Sequence, residues 1–176
     1  MSDKIPFIII VTEGVHDVYA LTRVLKTKGF REIQVISELP KELLSLIPRH
    51  YPILKNLNHF IPHPTFLVRD NKYVVVSNAN GKTQLGENLS NLISVLSTGI
   101  LYGLKGVAIV ADMDQETKDN NQIDIINQIS NEDPTIEISL ESNNKLLRKD
   151  GFVFPLNLFF LPDNESLGTL ESLLLL

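Results

Sequence analysis

The run Val107-Ala108-Ile109-Val110-Ala111 contains no polar residue and ends in Asp112-Met113-Asp114. An apolar stretch of this length without alternation suits a strand covered on both faces, as in a parallel sheet. A second run, Phe7-Ile8-Ile9-Ile10-Val11, ends in Thr12-Glu13-Gly14. Strands hidden on both sides need helices above and below them, which points to an α/β architecture. In open α/β sheets the ligand crevice lies beyond the carboxyl ends of the strands. Both runs deliver carboxylates to that place.

The remaining pattern agrees with this frame. Val15, Val18, Leu21 and Leu25 follow helical spacing up to Gly29, a helix stop, and Ile33–Ser37 reads as a further strand. The order strand, helix, strand is the unit of a parallel sheet, so a mostly parallel central sheet flanked by helices is expected. Residues 39–64 break the rhythm with Pro40, Pro48, Pro52, Pro62 and Pro64, and read as a Pro-rich helical insertion or structured loop within one domain spanning 1–176. Phe66–Arg69 and Tyr73–Ser77 flank Asp70-Asn71, a hairpin turn signal. One helix is expected over Glu87–Leu101 and another over Asn120–Ser130, the latter facing inward through Ile123, Ile126 and Ile129. Thr135–Leu140 reads as a strand, and Phe152–Leu161, interrupted by Pro155, as an edge strand or two short ones. Leu167–Leu176 reads as a helix whose apolar end packs on the core or on a partner.

The chain has no cysteine, which removes disulfides and thiolate chemistry and suits a cytoplasmic protein. No apolar run is long enough to span a bilayer, so no membrane partner is expected. The net charge of −5 argues against a general nucleic-acid coat. The charges are segregated, however, with Ala20–Ala111 basic and Asp112–Glu141 strongly acidic. A basic half beside an acidic, metal-loaded edge is compatible with a phosphate-bearing ligand.

Glu13, Asp112 and Asp114 place three carboxylates at one sheet edge. Like charges held together call for a cation, and hard oxygen donors suit Mg²⁺ or Mn²⁺. Asp17 falls in the first turn of the helix after Gly14, where its charge also favours the helix dipole. Lys82, in Asn80-Gly81-Lys82, is placed to contact a phosphate. Gly81-Lys82-Thr83 shares the end of a P-loop, but Val76 stands where its first glycine is required. His59 and His63 have ligand spacing, yet Pro62 and Pro64 forbid the helix that would align them.

Strand, Glu13-Gly14-x-x-Asp17, helix, and a later apolar strand ending Asp112-x-Asp114 together resemble the Toprim domain of topoisomerases, bacterial-type primases, recombination mediators and related nucleases. Leu161-Pro162-Asp163 and Gly168-Thr169-Leu170-Glu171-Ser172-Leu173-Leu174 also resemble the end of small stand-alone Toprim-like proteins of unassigned function. The resemblance implies that Glu13, Asp112 and Asp114 bind Mg²⁺ (or Mn²⁺) and act on phosphodiesters, with Glu13 catalytic and Glu171 a fourth acidic residue near the site. Gly14, Asp17 and Lys82 would support them. The leading expectation is therefore Mg²⁺-dependent chemistry on a phosphodiester or phosphate ester, foremost nucleic-acid processing of a nuclease kind. The alternatives are a non-catalytic Toprim-like module that binds partners or nucleic acid, and a small-molecule phosphatase or phosphotransferase.

Overall fold

The computed structural model describes residues 4–47, 64–114, 117–141, 144–162 and 165. β1 (Phe7–Thr12) leads into α1 (Val15–Thr27) and a short β2 (Arg31–Glu32). β3 (Thr65–Arg69) and β4 (Lys72–Asn78) precede α2 (Leu85–Ser94) and α3 (Thr98–Leu101). β5 (Leu104–Asp112), α4 (Lys118–Glu132), β6 (Glu137–Glu141), β7 (Asn144–Lys149) and β8 (Phe152–Leu161) complete the described chain.

The eight strands among the described residues join one sheet in the order β2-β3-β4-β1-β5-β8-β7-β6. The two apolar runs lie side by side at its centre, with β1 parallel to both β4 and β5, and β5 parallel to β8. The pairs β2–β3, β3–β4, β6–β7 and β7–β8 are antiparallel. The sheet is therefore mixed, with more antiparallel than parallel pairings, and the expectation of a mostly parallel sheet is overturned. Tight turns are the reason, because strands joined by two residues can only run antiparallel. Asp70 and Asn71 turn β3 into β4 with φ of 50° and 56°, and Asp150-Gly151 turns β7 into β8 with φ of 51° and 79°.

Several boundaries move for identifiable reasons. β7 was not expected from sequence, since Lys145, Arg148 and Lys149 mask its alternation and only Leu147 is fully buried. The strand expected at Ile33–Ser37 is instead a 3-10 turn at Ile36–Glu38 after the two-residue β2. The helix expected over Glu87–Leu101 is split at Val95–Ser97, where Leu96 turns into the core. In α4 the buried face is Asn121, Ile125 and Ile129, while Ile123 is 55% exposed.

β8 is an interior strand rather than an edge. It tolerates Pro155 because its ladder with β5 begins only at Val107↔Leu156. Gly106 makes room beside it, since a Cβ there would lie 3.2 Å from the Pro155 Cγ.

Alternate residues of the central strands divide the core between two faces. Ile9, Val11, Val75, Val107, Ile109 and Phe160 pack with Leu89, Ile93, Ile125 and Ile129 of α2 and α4. Ile10, Val74 and Val76 pack with Val18, Leu21 and Leu25 of α1 on the other. Of the Pro-rich segment, Lys41–Leu46 forms a 3-10 turn that buries Leu43 and Leu46, and 48–63 lies outside the described residues. The helix expected at Leu167–Leu176 and its packing also lie outside them. Among the described residues no helix is long and apolar enough to cross a membrane.

Candidate functional site

β1 and β5 end side by side, with Thr12 in register with Val110. The chain leaves β1 through Glu13, whose N–H donates to the Val110 carbonyl at 3.1 Å. The Glu13 side chain crosses to the neighbouring strand end, where its Oε2 accepts the Asp112 N–H at 3.2 Å. Its own carbonyl accepts the Gly81 N–H at 2.9 Å, so one residue ties together the ends of β1, β5 and the loop after β4.

That environment sets the acidity of Glu13. Partial burial raises its pKa above the ordinary glutamate value; the Asp112 N–H and Lys82 oppose this, while the nearby Asp114 and Asp17 charges add to it. Ionisation is thus made harder, as in many carboxyl groups that exchange protons during catalysis.

Asp112 is the last residue of β5 and is half-buried. Beyond it strand alternation stops, because Asp114 adopts a left-handed φ of 52°. That turn, rather than the two-residue period of a strand, brings the Asp114 Oδ2 to 3.0 Å from the Lys82 Nζ. Lys82 rises from the 3-10 turn Lys82–Gln84 that follows Gly81 at φ 131°, a conformation that favours glycine. Glu13, Asp114 and Lys82 therefore come together at one sheet edge, and Asp112 joins them through its backbone N–H.

Asp17 and Gly14 serve a different purpose. The Asp17 Oδ2 accepts the Gly14 N–H at 2.8 Å, the reach-back half of a capping box, and Asp17 is only 7% exposed. Gly14 itself has φ −129°, which other residues adopt freely. Both fix how the chain turns from Glu13 into α1. Glu171, the proposed fourth acidic residue, lies outside the described residues.

Sequence reasoning missed the groups that hold this edge in place. Asn121, fully buried in α4, donates from Nδ2 to the Met113 carbonyl at 3.2 Å and steadies the peptide between the two aspartates. Thr12 donates from Oγ1 to the Gly14 and Ser77 carbonyls at 3.2 and 3.3 Å. The Asn78 Oδ1 accepts the Asn80 N–H at 2.9 Å and shapes the loop before Lys82. The one available signal was Asn121 at four-residue spacing from Ile125 and Ile129, a polar residue on an apolar stripe.

The family described as "Protein of unknown function (DUF3226)" matches residues 8–176, nearly the entire sequence. The chain belongs to that family. A matching solved structure is a hypothetical protein, PH0156, from Pyrococcus horikoshii OT3, at 23% identity and a TM-score of 0.56. The similarity covers 97% of this chain and 64% of that protein, so the chain spans under two thirds of its relative's length. At this identity the likeness concerns the fold alone. No curated protein matches the chain.

Three carboxylates at the edge raise the question of a metal. Among the described residues no three aspartate, glutamate or histidine side chains are gathered into a group that would hold one by themselves. The donor set nevertheless suits Mg²⁺, which ordinarily takes one or two carboxylates and completes its shell with water and substrate phosphate oxygens. The residues present fit a metal shared with a phosphate, and not a closed protein cage.

Proposed function

We propose that this edge carries out Mg²⁺-dependent chemistry on a phosphate ester, a phosphodiester or a monoester. The observation that carries the reading is the convergence of Glu13, Asp112, Asp114 and Lys82 where β1 and β5 end. The resemblance of the Glu13-Gly14-x-x-Asp17 and Asp112-x-Asp114 segments to Toprim motifs supports it. Asp112 and Asp114, with Glu13 beside them, would hold the cation, which would neutralise the phosphate and favour charge build-up on the leaving oxygen.

The chain's own groups then divide the work. Lys82 exchanges Asp114 for a phosphate oxygen and anchors the ester. Glu13 accepts a proton from the attacking water as the new O–P bond forms, and returns it to the leaving oxygen as the old P–O bond breaks. Asn121 and Asp17 hold the two strand ends in position.

The test is Mn²⁺ and Mg²⁺ binding by calorimetry, with inorganic phosphate present, comparing wild type with Asp112→Asn/Asp114→Asn. Uptake that vanishes in the double variant supports the reading. A wild type that takes up no metal under these conditions defeats it.

A further inference from the structure

Beside the Asp114–Lys82 pair a cleft of about 390 Å³ opens between the 3-10 turn after Gly81 and the side of α4. Its walls carry Lys82 and Thr83 on one side and Asn121, Asp124 and Gln128 on the other, with Asp114 at the junction. Such a volume lies at the lower end of small-molecule sites. The lining of the cleft is more apolar than polar, with Ile125 among its walls, and its cationic group is Lys82. Away from Lys82 the charged group is the exposed carboxylate of Asp124, and the buried Asn121 adds an amide.

Resting on the phosphate-ester reading above, we infer that this cleft receives the non-phosphate part of a small phosphomonoester that pairs an apolar body with a hydroxyl or amino donor. The phosphate sits at Lys82, and Thr83 and Asp124 are specificity-determining residues for the remainder. The Asp124 carboxylate on the α4 wall accepts hydrogen bonds from hydroxyl or amino donors and disfavours a second phosphate. The same electrostatics argue against a polymer. Along α4 the charged residues are Lys118, Asp119, Asp124 and Glu132, a net negative helix beside the cleft that would repel a polynucleotide. Nucleic-acid binding needs the opposite, a track of Lys and Arg that neutralises successive phosphates.

Amide chemical shifts of the full chain with Mg²⁺ present provide the test, using ribose 5-phosphate, a nucleoside 5′-monophosphate and a short single-stranded oligonucleotide as probes. The two small esters are expected to shift the Thr83 and Asp124 amides. Asp124→Ala should weaken their binding about tenfold, and Asp124→Asn less, since the amide oxygen still accepts. Asp124 is exposed on a helix, so both variants should retain the wild-type spectrum elsewhere. The inference is overturned if neither small ester perturbs these amides at millimolar concentration, if Asp124→Ala binds them as wild type does, or if only the oligonucleotide binds there. Mn²⁺ broadening of the Asp112 and Asp114 amides reads the phosphate-ester site separately. Broadening without cleft shifts would sink the cleft alone, and its absence would sink the underlying reading.

Discussion

The Glu13 carboxylate accepts a hydrogen bond from the backbone N–H of Asp112, a residue 99 positions away in sequence. The bond joins the ends of the two central strands and holds a partly buried carboxylate near the Asp114 charge. A charge kept there for stability alone would be a poor choice, because burial opposes it.

Glu13→Gln should therefore stabilise the fold at neutral pH. A glutamate whose folded-state pKa is raised contributes fully below its ordinary value of 4.5 and loses that contribution as pH rises through the folded-state value. The glutamine keeps an oxygen for the Asp112 N–H and has no charge to bury. Thermal melts should show the variant more stable at pH 7 and level with wild type below pH 4.5. A variant less stable than wild type at pH 7 would show that the charge stabilises the fold.

Lys82→Met separates two roles of one cation. With Nζ removed from its 3.0 Å contact, Asp114 no longer has Lys82 as a competitor for a metal. Mn²⁺ affinity without phosphate should rise several-fold, while phosphate affinity falls by about tenfold. Calorimetry with each ligand alone checks both halves. A loss in both would mean that Lys82 chiefly shapes the loop.

At Gly86 the helices α2 and α4 approach closely. A Cβ built on it would lie 2.4 Å from the Gln128 Cβ and 2.7 Å from the Ile129 backbone nitrogen, and the Gly86 N–H donates to the Gln128 Oε1 at 3.1 Å. Backbone cannot yield as a side-chain tip can. Gly86→Ala should cost ~1–3 kcal/mol by overpacking despite the better helix propensity of alanine. Urea denaturation decides this, and an unchanged midpoint would show that the helices can separate without cost.

At the opposite end of the sheet Asp133 accepts from Lys149 at 2.8 Å, with the two side chains 18% and 11% exposed. Hydrogen bonds from Lys149 and Thr135 lower its pKa from 3.8 to about 2. A depressed carboxylate contributes stability above the unfolded value and loses it as pH falls through the folded one. Asp133→Asn should thus cost roughly 1–2 kcal/mol at pH 7, allowing for solvent screening. In acid melts the deficit should shrink from pH 3.8 downwards and disappear near pH 2.

The centre of this fold was legible because its residues answer only to burial. β1 and β5 are hidden on both sides, so Ile9, Val11, Val107 and Ile109 announce themselves without context. The β3–β4 hairpin was legible for a local reason, since Asp70-Asn71 carries its own turn geometry. The wings were not. β7 draws its order from pairing with β6 and β8 while its own side chains stay largely polar, and β8 looked like an edge because Pro155 is read without knowledge of Gly106. At the site, Glu13, Asp112 and Asp114 could be named from the strands that carry them. The contact of Lys82 with Asp114 depends on a left-handed turn at Asp114, and the cleft depends on how α4 lies across the sheet. Those are tertiary facts with no residue-by-residue signature.

The position of β1 between β4 and β5 also bears on how the protein is made. β1 leaves the ribosome before either of its neighbours exists; β4 can pair with it from Tyr73 on, but its other side stays open until β5 has been synthesised. A nascent chain of this design carries an apolar strand that is at best half-paired until β5 follows, which favours aggregation when synthesis stalls early. Yield in the cell should therefore depend on chaperone supply and on the pace of translation between β4 and β5, independently of how stable the finished fold is.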